Sequence, residues 1–227
     1  MKKTLAAVGM FCFQAAIVLV MLFAAAFDRG FYISEYQKLG VYESCGADSD
    51  TLERATDITS DYLKGKADDM SGAGMIDGAE REIFGEDERS HMVDVKWLFQ
   101  TGLLTALGCC IVAAVCMIAA GRGGDRFKRD VAKGALVGIG AFAVLLGAFA
   151  AWCVSDFNGA FNAFHHLLFR NGLWLMNPDT QFMIRMFPAQ FFSDMGARIA
   201  AYVGIAVAAE IILICFAGFG GRKKHEV

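Results

Sequence analysis

Four apolar runs, Leu5–Phe27, Leu98–Ala120, Val131–Val154 and Ile199–Phe219, dominate this 227-residue chain. Each supplies the roughly 20 residues that an α-helix needs to cross a hydrocarbon layer of about 30 Å. Inside a bilayer every backbone N–H and C=O must be satisfied within its own segment, which favours helices over open strands. The predicted fold class is a mainly α membrane protein with four transmembrane helices. A composition that is 56% hydrophobic accords with it. The first run follows Lys2-Lys3 and carries Ala24-Ala25-Ala26 near its end, the grammar of a signal peptide. It is longer than the 7–15 residues or so of a signal-peptide core, so it is read as an uncleaved helix.

Basic residues set the predicted orientation. Lys2 and Lys3 precede the first run, Arg122, Arg126, Lys128, Arg129 and Lys133 surround the second connection, and Arg222, Lys223 and Lys224 follow the fourth run. Positive charge favours the cytoplasmic side, which places both termini and the 121–130 loop inside. The segments 28–97 and 155–198 then lie outside and together form an extracytoplasmic cap. The first of them carries seventeen acidic and eight basic residues, a balance unsuited to an anionic inner leaflet or to nucleic acid. Six of the seven cysteines fall within the runs and only Cys45 lies in an outer segment, so one chain cannot build an external disulfide framework. Nothing near Cys45 in sequence would activate its thiol.

Local signals subdivide the outer segments. Asp50-Thr51-Leu52-Glu53 reads as a capping box. Leu52, Ala55, Ile58, Thr59, Tyr62 and Leu63 follow as one helical face and Gly65 as its stop, giving an amphipathic lid. The Gly-rich stretch 71–78 predicts a turn or short hairpin at Asp77-Gly78. Gly134 and Gly138 form a small-xxx-small pair suited to helix packing. Gln14 and Glu210 fall at similar depth in the first and fourth runs, where a hydrogen bond between them would satisfy both.

The densest polar chemistry is Glu88-Arg89-Ser90-His91-Met92-Val93-Asp94-Val95-Lys96, directly before the second apolar run. A helix starting near Arg89 and entering that run would hold His91 at headgroup level, with Asp94 one turn away to orient the ring. In the second outer segment Phe157, Phe161, Phe164, His165 and Leu168 share a 3.6-residue period, while His166 points about 100° away. Seven Phe and Trp residues lie between Phe164 and Phe192. They would form either an interfacial belt or the wall of an acyl-chain pocket. Spacing alone leaves both histidines open to an interfacial reading and to a catalytic one.

Together these blocks resemble the bacterial integral membrane family that includes lipoprotein intramolecular transacylase. The resemblance runs through Leu52-x3-Thr56-x5-Tyr62-Leu63-Lys64-Gly65-Lys66, Ile83-Phe84-Gly85, the Glu88–Lys96 block, and Phe161-x2-Phe164-His165-x-Leu167. It continues from Trp174-x2-Asn177-Pro178 to Pro188-x2-Phe191-Phe192, and departs at Gln181-Phe182, where members often carry an acid. The resemblance implies a cap over four helices in the bacterial cytoplasmic membrane, with catalytic histidines matching His91 and His165. The implied substrates are diacylated lipoproteins. The implied reaction moves the sn-2 acyl chain of a diacylglyceryl-cysteine to that cysteine's α-amino group, giving a lyso-form lipoprotein.

The chemistry suits such residues. An α-amine with pKa near 7.7–8.0 must lose a proton before attacking an ester, and an imidazole near 6.5 can take it. A second imidazole can return a proton to the departing glyceryl oxygen, so no acyl-enzyme, cofactor or metal is required. Asp94 would set the tautomer of His91, Lys96 and Arg170 would steady the oxyanion, and Phe161, Phe164, Phe169, Trp174, Phe191 and Phe192 would line the acyl pocket. Two other readings use the same residues. One is a non-catalytic membrane protein whose acidic cap binds an envelope partner. The other is an external metal site on His91, Asp94, His165 and His166, which no HExxH or CxxC motif accompanies.

Overall fold

The computed structural model describes residues 2–121 and 125–219. Four of its helices are long and apolar enough to cross a membrane: α1 (Lys2–Ala26), α5 (Glu86–Ala120), α6 (Asp125–Ser155) and α9 (Ala189–Phe219). Between them lie α2 (Arg29–Lys38), α3 (Val41–Ser44), α4 (Ser49–Leu63), strands β1 (Ala73–Ile76) and β2 (Ala79–Glu82), α7 (Phe157–Leu168) and α8 (Phe182–Met186). Of the residues that set the predicted orientation, Arg122, Arg222, Lys223 and Lys224 lie outside the described residues, as does the side chain of Arg126.

The chain divides into two compact units. The first comprises Met1–Leu22, Gly102–Val154 and Arg198–Val227. Large apolar side chains such as Leu104, Ile118, Val144, Ile205, Leu213 and Phe216 stand exposed on it, as they would facing lipid tails. Its interior is held by close backbone approach. A Cβ at Gly134 or Gly138 would overlap the carbonyl oxygen of Lys3 or Ala7 on α1, so the small-xxx-small pair does pack helices. Lys3 pairs with Asp130 at 3.2 Å, and Phe11 meets Phe142 edge-on at 5.3 Å. The fully buried Gln14 donates through Nε2 to Glu210, the partner expected for that acid. We expect Gly138→Val to destabilise the detergent-solubilised protein by about 1–3 kcal/mol, because the added branch must displace α1 backbone. A thermal unfolding scan checks this, with Gly140→Ala as control, since nothing lies within 4 Å of that Cβ position.

The second unit comprises Phe23–Thr101 and Ser155–Ala197. Its core gathers Tyr36, Leu52, Ile76, Phe84, Phe182 and Phe191, all essentially inaccessible. Helix α4 buries the face carrying Leu52, Ala55, Thr59 and Tyr62, while Ile58 and Leu63 stay partly exposed. Its N-cap is Asp48, whose side chain accepts from the Thr51 N–H at 2.7 Å, and not Asp50 as the capping-box pattern predicted. With Asp48 as cap, the Thr51 hydroxyl is free to accept from the Met75 N–H at 3.0 Å, fastening β1 to α4. The hairpin turns at Asp77 (φ 55°) and Gly78 (φ 79°), the pair of positive φ values that a two-residue primed turn demands. Arg185 on α8 binds the Asp77 carboxylate through two nitrogens at 2.8 and 3.1 Å, tying that turn to the second outer segment.

Helix α5 starts at Glu86, three residues before the predicted start, and runs 35 residues. That is about 50 Å at 1.5 Å per residue, well beyond the roughly 30 Å of a hydrocarbon core. Its apolar stretch from residue 98 onward accounts for the membrane thickness. The first turns carry Glu86, Asp87, Glu88, Arg89, Asp94 and Lys96.

Candidate active site

Glu88 positions the start of α5. Its Oε2 accepts the Gly85 N–H at 2.6 Å, the reach-back bond of a capping box, and its Oε1 accepts the Met183 N–H of α8 at 2.6 Å. One carboxylate, 2% exposed, thereby joins the first turns of two helices. His91 follows three residues later, 7% exposed.

The second histidine comes from α7, which begins two residues after the last residue of α6. Asp156 separates the two helices and caps α7, accepting from the Gly159 N–H at 2.9 Å. The period-3.6 stripe of α7 brings Phe161, Phe164 and His165 together. The His165 ring lies 4.0 Å from Phe161, 5.3 Å from Phe164, 5.5 Å from Phe169 and 4.8 Å from Trp174, measured between centroids. Phe169 also covers His91 at 5.0 Å, and the two imidazoles stand 6.5 Å apart. His166 stands perpendicular to Trp174, with centroids 5.0 Å apart.

These surroundings set both proton affinities. The His91 pKa is pulled down to about 4, by burial first and by His165 second, with Asp94 opposing them. Burial also lowers the His165 pKa, against the hydrogen bond to the Phe161 carbonyl and with His166 adding to the decrease. Both rings are therefore neutral at pH 7. That 2.7 Å contact joins His165 Nδ1 to a carbonyl oxygen, which can only accept, so Nδ1 carries the proton and Nε2 the lone pair. His91 Nδ1 is buried with no hydrogen-bond partner among the described residues. Placing the ring proton on Nε2 avoids burying an unpaired N–H at Nδ1.

The structure separates the supporting residues. Asp94 does not bond the His91 ring; its Oδ2 accepts from Nδ2 of Asn171 at 2.8 Å, so it does not fix the tautomer by hydrogen bonding. Lys96 donates to the Ala67 carbonyl at 3.3 Å and sits 4.0 Å over the Tyr62 ring, engagements that compete with an oxyanion role. Arg170 is exposed and takes no hydrogen bond or ion pair among the described residues. Phe191 belongs to a different aromatic cluster, with Phe31, Tyr32, Tyr36 and Phe187, and is 1% exposed. It is core, whereas Phe192 touches both that cluster and Phe161, at 5.6 Å from the latter. No group of three or more His, Cys, Asp or Glu side chains among the described residues is arranged to hold a metal ion.

Sequence reasoning missed two residues. Glu88 was legible as the third residue after Gly85, the spacing of a reach-back cap. Asn171 contacts Asp94 across 77 residues of sequence, and a single sequence carries no signal for that.

A family model described as lipoprotein intramolecular transacylase Lit matches residues 7–192. Among solved structures, the membrane integral lipoprotein intramolecular transacylase Lit from Bacillus cereus superposes with a TM-score of 0.71 at 20% identity, covering 94% of this chain and 95% of that one. A histidine-to-alanine variant of the same protein gives 0.70 at 18% identity, covering 99% and 96%. No curated protein sequence matches the chain.

Proposed function

The chain belongs to the lipoprotein intramolecular transacylase family, and from that premise we propose a division of labour between its two clustered imidazoles. The protein is a membrane-embedded acyltransferase that acts on lipoproteins. The proposed substrate is a diacylglyceryl-modified N-terminal cysteine. Its sn-2 acyl chain moves to its own α-amino group, leaving a lyso-form lipoprotein.

The observation that carries the mechanism is the His165 ring, whose Nδ1–H donates to the Phe161 carbonyl and leaves Nε2 as a free lone pair. Nε2 of His165 is the general base: it takes the proton from the amine as nitrogen closes on the ester carbonyl. His91, neutral to about pH 4, presents Nε2–H to the ester as a hydrogen-bond donor and steadies the developing oxyanion. The His165 imidazolium then returns its proton to the glyceryl oxygen as that bond breaks. Nucleophile and electrophile belong to one lipid, so holding them together supplies much of the acceleration. Phe161, Phe164, Phe169 and Trp174 crowd His165 and keep water from competing for the ester.

In this reading the membrane segments are 5–27, 98–120, 131–154 and 199–219, with 121–130 cytoplasmic. The segments 28–97 and 155–198 face outward in a bacterial cytoplasmic membrane. The residues of the second unit support the assignment, since its polar and acidic content suits an aqueous face.

Tandem mass spectrometry of a synthetic diacylglyceryl-cysteine peptide tests the reaction. Intact mass is unchanged by an isomerisation, so fragmentation must find the acyl chain on nitrogen; a chain that stays on glycerol defeats the proposal. The pH dependence tests the roles. Both histidine pKa values are lowered, so above the ordinary imidazole value of about 6.5 both rings hold the neutral forms that these roles need. The substrate amine contributes its own limb near pH 7.7–8.0, so the enzyme's acid limb of kcat should fall below about pH 6.5, and an additional limb between about pH 6.5 and 7.5 would contradict a neutral pair.

A further inference from the structure

Asp94 has no part in the mechanism above. It lies one turn beyond His91 on α5, about 60° round the helix, with its Oδ2 held by Asn171 Nδ2. Asn171 is itself fixed, its Oδ1 accepting the Leu173 N–H at 3.2 Å. The carboxylate is thus anchored by a neutral donor. Among the described residues no cation pairs with it: Arg170, beside Asn171, is exposed and unengaged, and Lys96 is turned to the Tyr62 ring. Its charge reaches the candidate centre all the same, because it acts against the burial that lowers the His91 pKa.

We propose that Asp94, positioned by Asn171, receives the α-ammonium group of the lipid-modified cysteine. The inference rests on the transacylase reading and deepens it. An α-amine with pKa near 7.7–8.0 is mainly a cation at neutral pH. Bringing it unpaired to two desolvated neutral imidazoles is unfavourable, and a half-buried carboxylate at their side offsets that. The remaining oxygen, Oδ1, takes an N–H of the ammonium. Two protons leave nitrogen on the way to the amide. One ends on the glyceryl oxygen, carried by His165, and the other goes to solvent. Of the titratable and charged groups among the described residues, His91 on the same helix feels the charge of Asp94, His165 on α7 faces His91 at 6.5 Å, and Arg170 is next to Asn171 in sequence.

Asp94→Asn keeps an acceptor for Asn171 and removes only the charge, so the fold should survive. With the full chain in detergent and a diacylglyceryl-cysteine peptide, the variant should raise KM at least about tenfold at pH 7, the worth of a charge-assisted hydrogen bond. Its KM should rise less between about pH 7 and 9 than that of the wild type, because it has lost its preference for the cationic substrate. An unchanged KM and pH profile overturns the proposal while leaving the transacylase reading standing. A diether analogue, which cannot transfer a chain, gives a readout independent of turnover. The wild type should bind it at least about tenfold more tightly than Asp94→Asn does. N-acetylation of the analogue should abolish that difference, and equal binding by both proteins refutes the assignment even if no transfer is detected.

Discussion

Replacing His165 with Ala is expected to lower kcat by about 10²–10⁴, the range attributed to a positioned general base. The expectation comes from the ring's orientation. Nδ1 is committed to the Phe161 carbonyl, which leaves Nε2 as the only basic atom of that side chain. Alanine also opens space beside Phe161 and Trp174, whose rings lie 4.0 and 4.8 Å from the imidazole. A loss of activity could then be a loss of packing. His165→Phe separates the two, since it refills the stack without a nitrogen. It should match the alanine variant in kcat and the wild type in melting temperature. Single-turnover mass spectrometry measures the first quantity and differential scanning fluorimetry the second. Full activity in either variant would remove His165 from the chemistry and return the second outer segment to an interfacial role.

What could be read from residues alone follows the range of the forces involved. The four spanning helices depend on runs of local apolarity, and Asp77-Gly78 depends on two adjacent backbone angles, so both were open to inspection. Gly134 and Gly138 were legible because close helix packing has a four-residue spacing, and Gln14 with Glu210 because polar groups at one depth in lipid need each other. The α4 cap shows a finer limit. Asp48 and Asp50 are both acceptable caps by type, and the choice depends on Thr51 being needed by β1, a contact from beyond the helix. The aromatic residues show a coarser one. Phe191 and Phe192 are adjacent and alike, yet one is sealed in a core with Tyr36 and the other reaches Phe161. Asp94 was assigned to His91 because i,i+3 neighbours were the only partners visible; Asn171 lies on another element.

Removing the Glu88 carboxylate is expected to cost about 2–4 kcal/mol of stability, the largest effect of any substitution away from the two imidazoles. Two backbone donors, the buried Met183 N–H and the Gly85 N–H, depend on that one side chain. The Met183 N–H would lose its acceptor with no water at hand to replace it, since Met183 and Glu88 are both buried. Glu88→Gln is no rescue: it offers one carbonyl oxygen for two donors and points an NH2 at the second. Glu88→Ala and Glu88→Gln should therefore both lower the melting temperature, by roughly 5–15 °C for a chain of this size. The consequence for chemistry is distinct from the consequence for stability. Met183 is the second residue of α8, whose first, Phe182, packs on Phe84 at 6.5 Å, and Glu88 itself sits three residues before His91. Loosening that junction frees the first turn of α5 and with it the 6.5 Å spacing between the imidazoles. Activity measured well below the lowered melting temperature should thus stay depressed in both variants, with kcat reduced more than KM is raised. Recovery of full kcat on cooling would instead mean that Glu88 holds the unit together without setting the distance between the two rings.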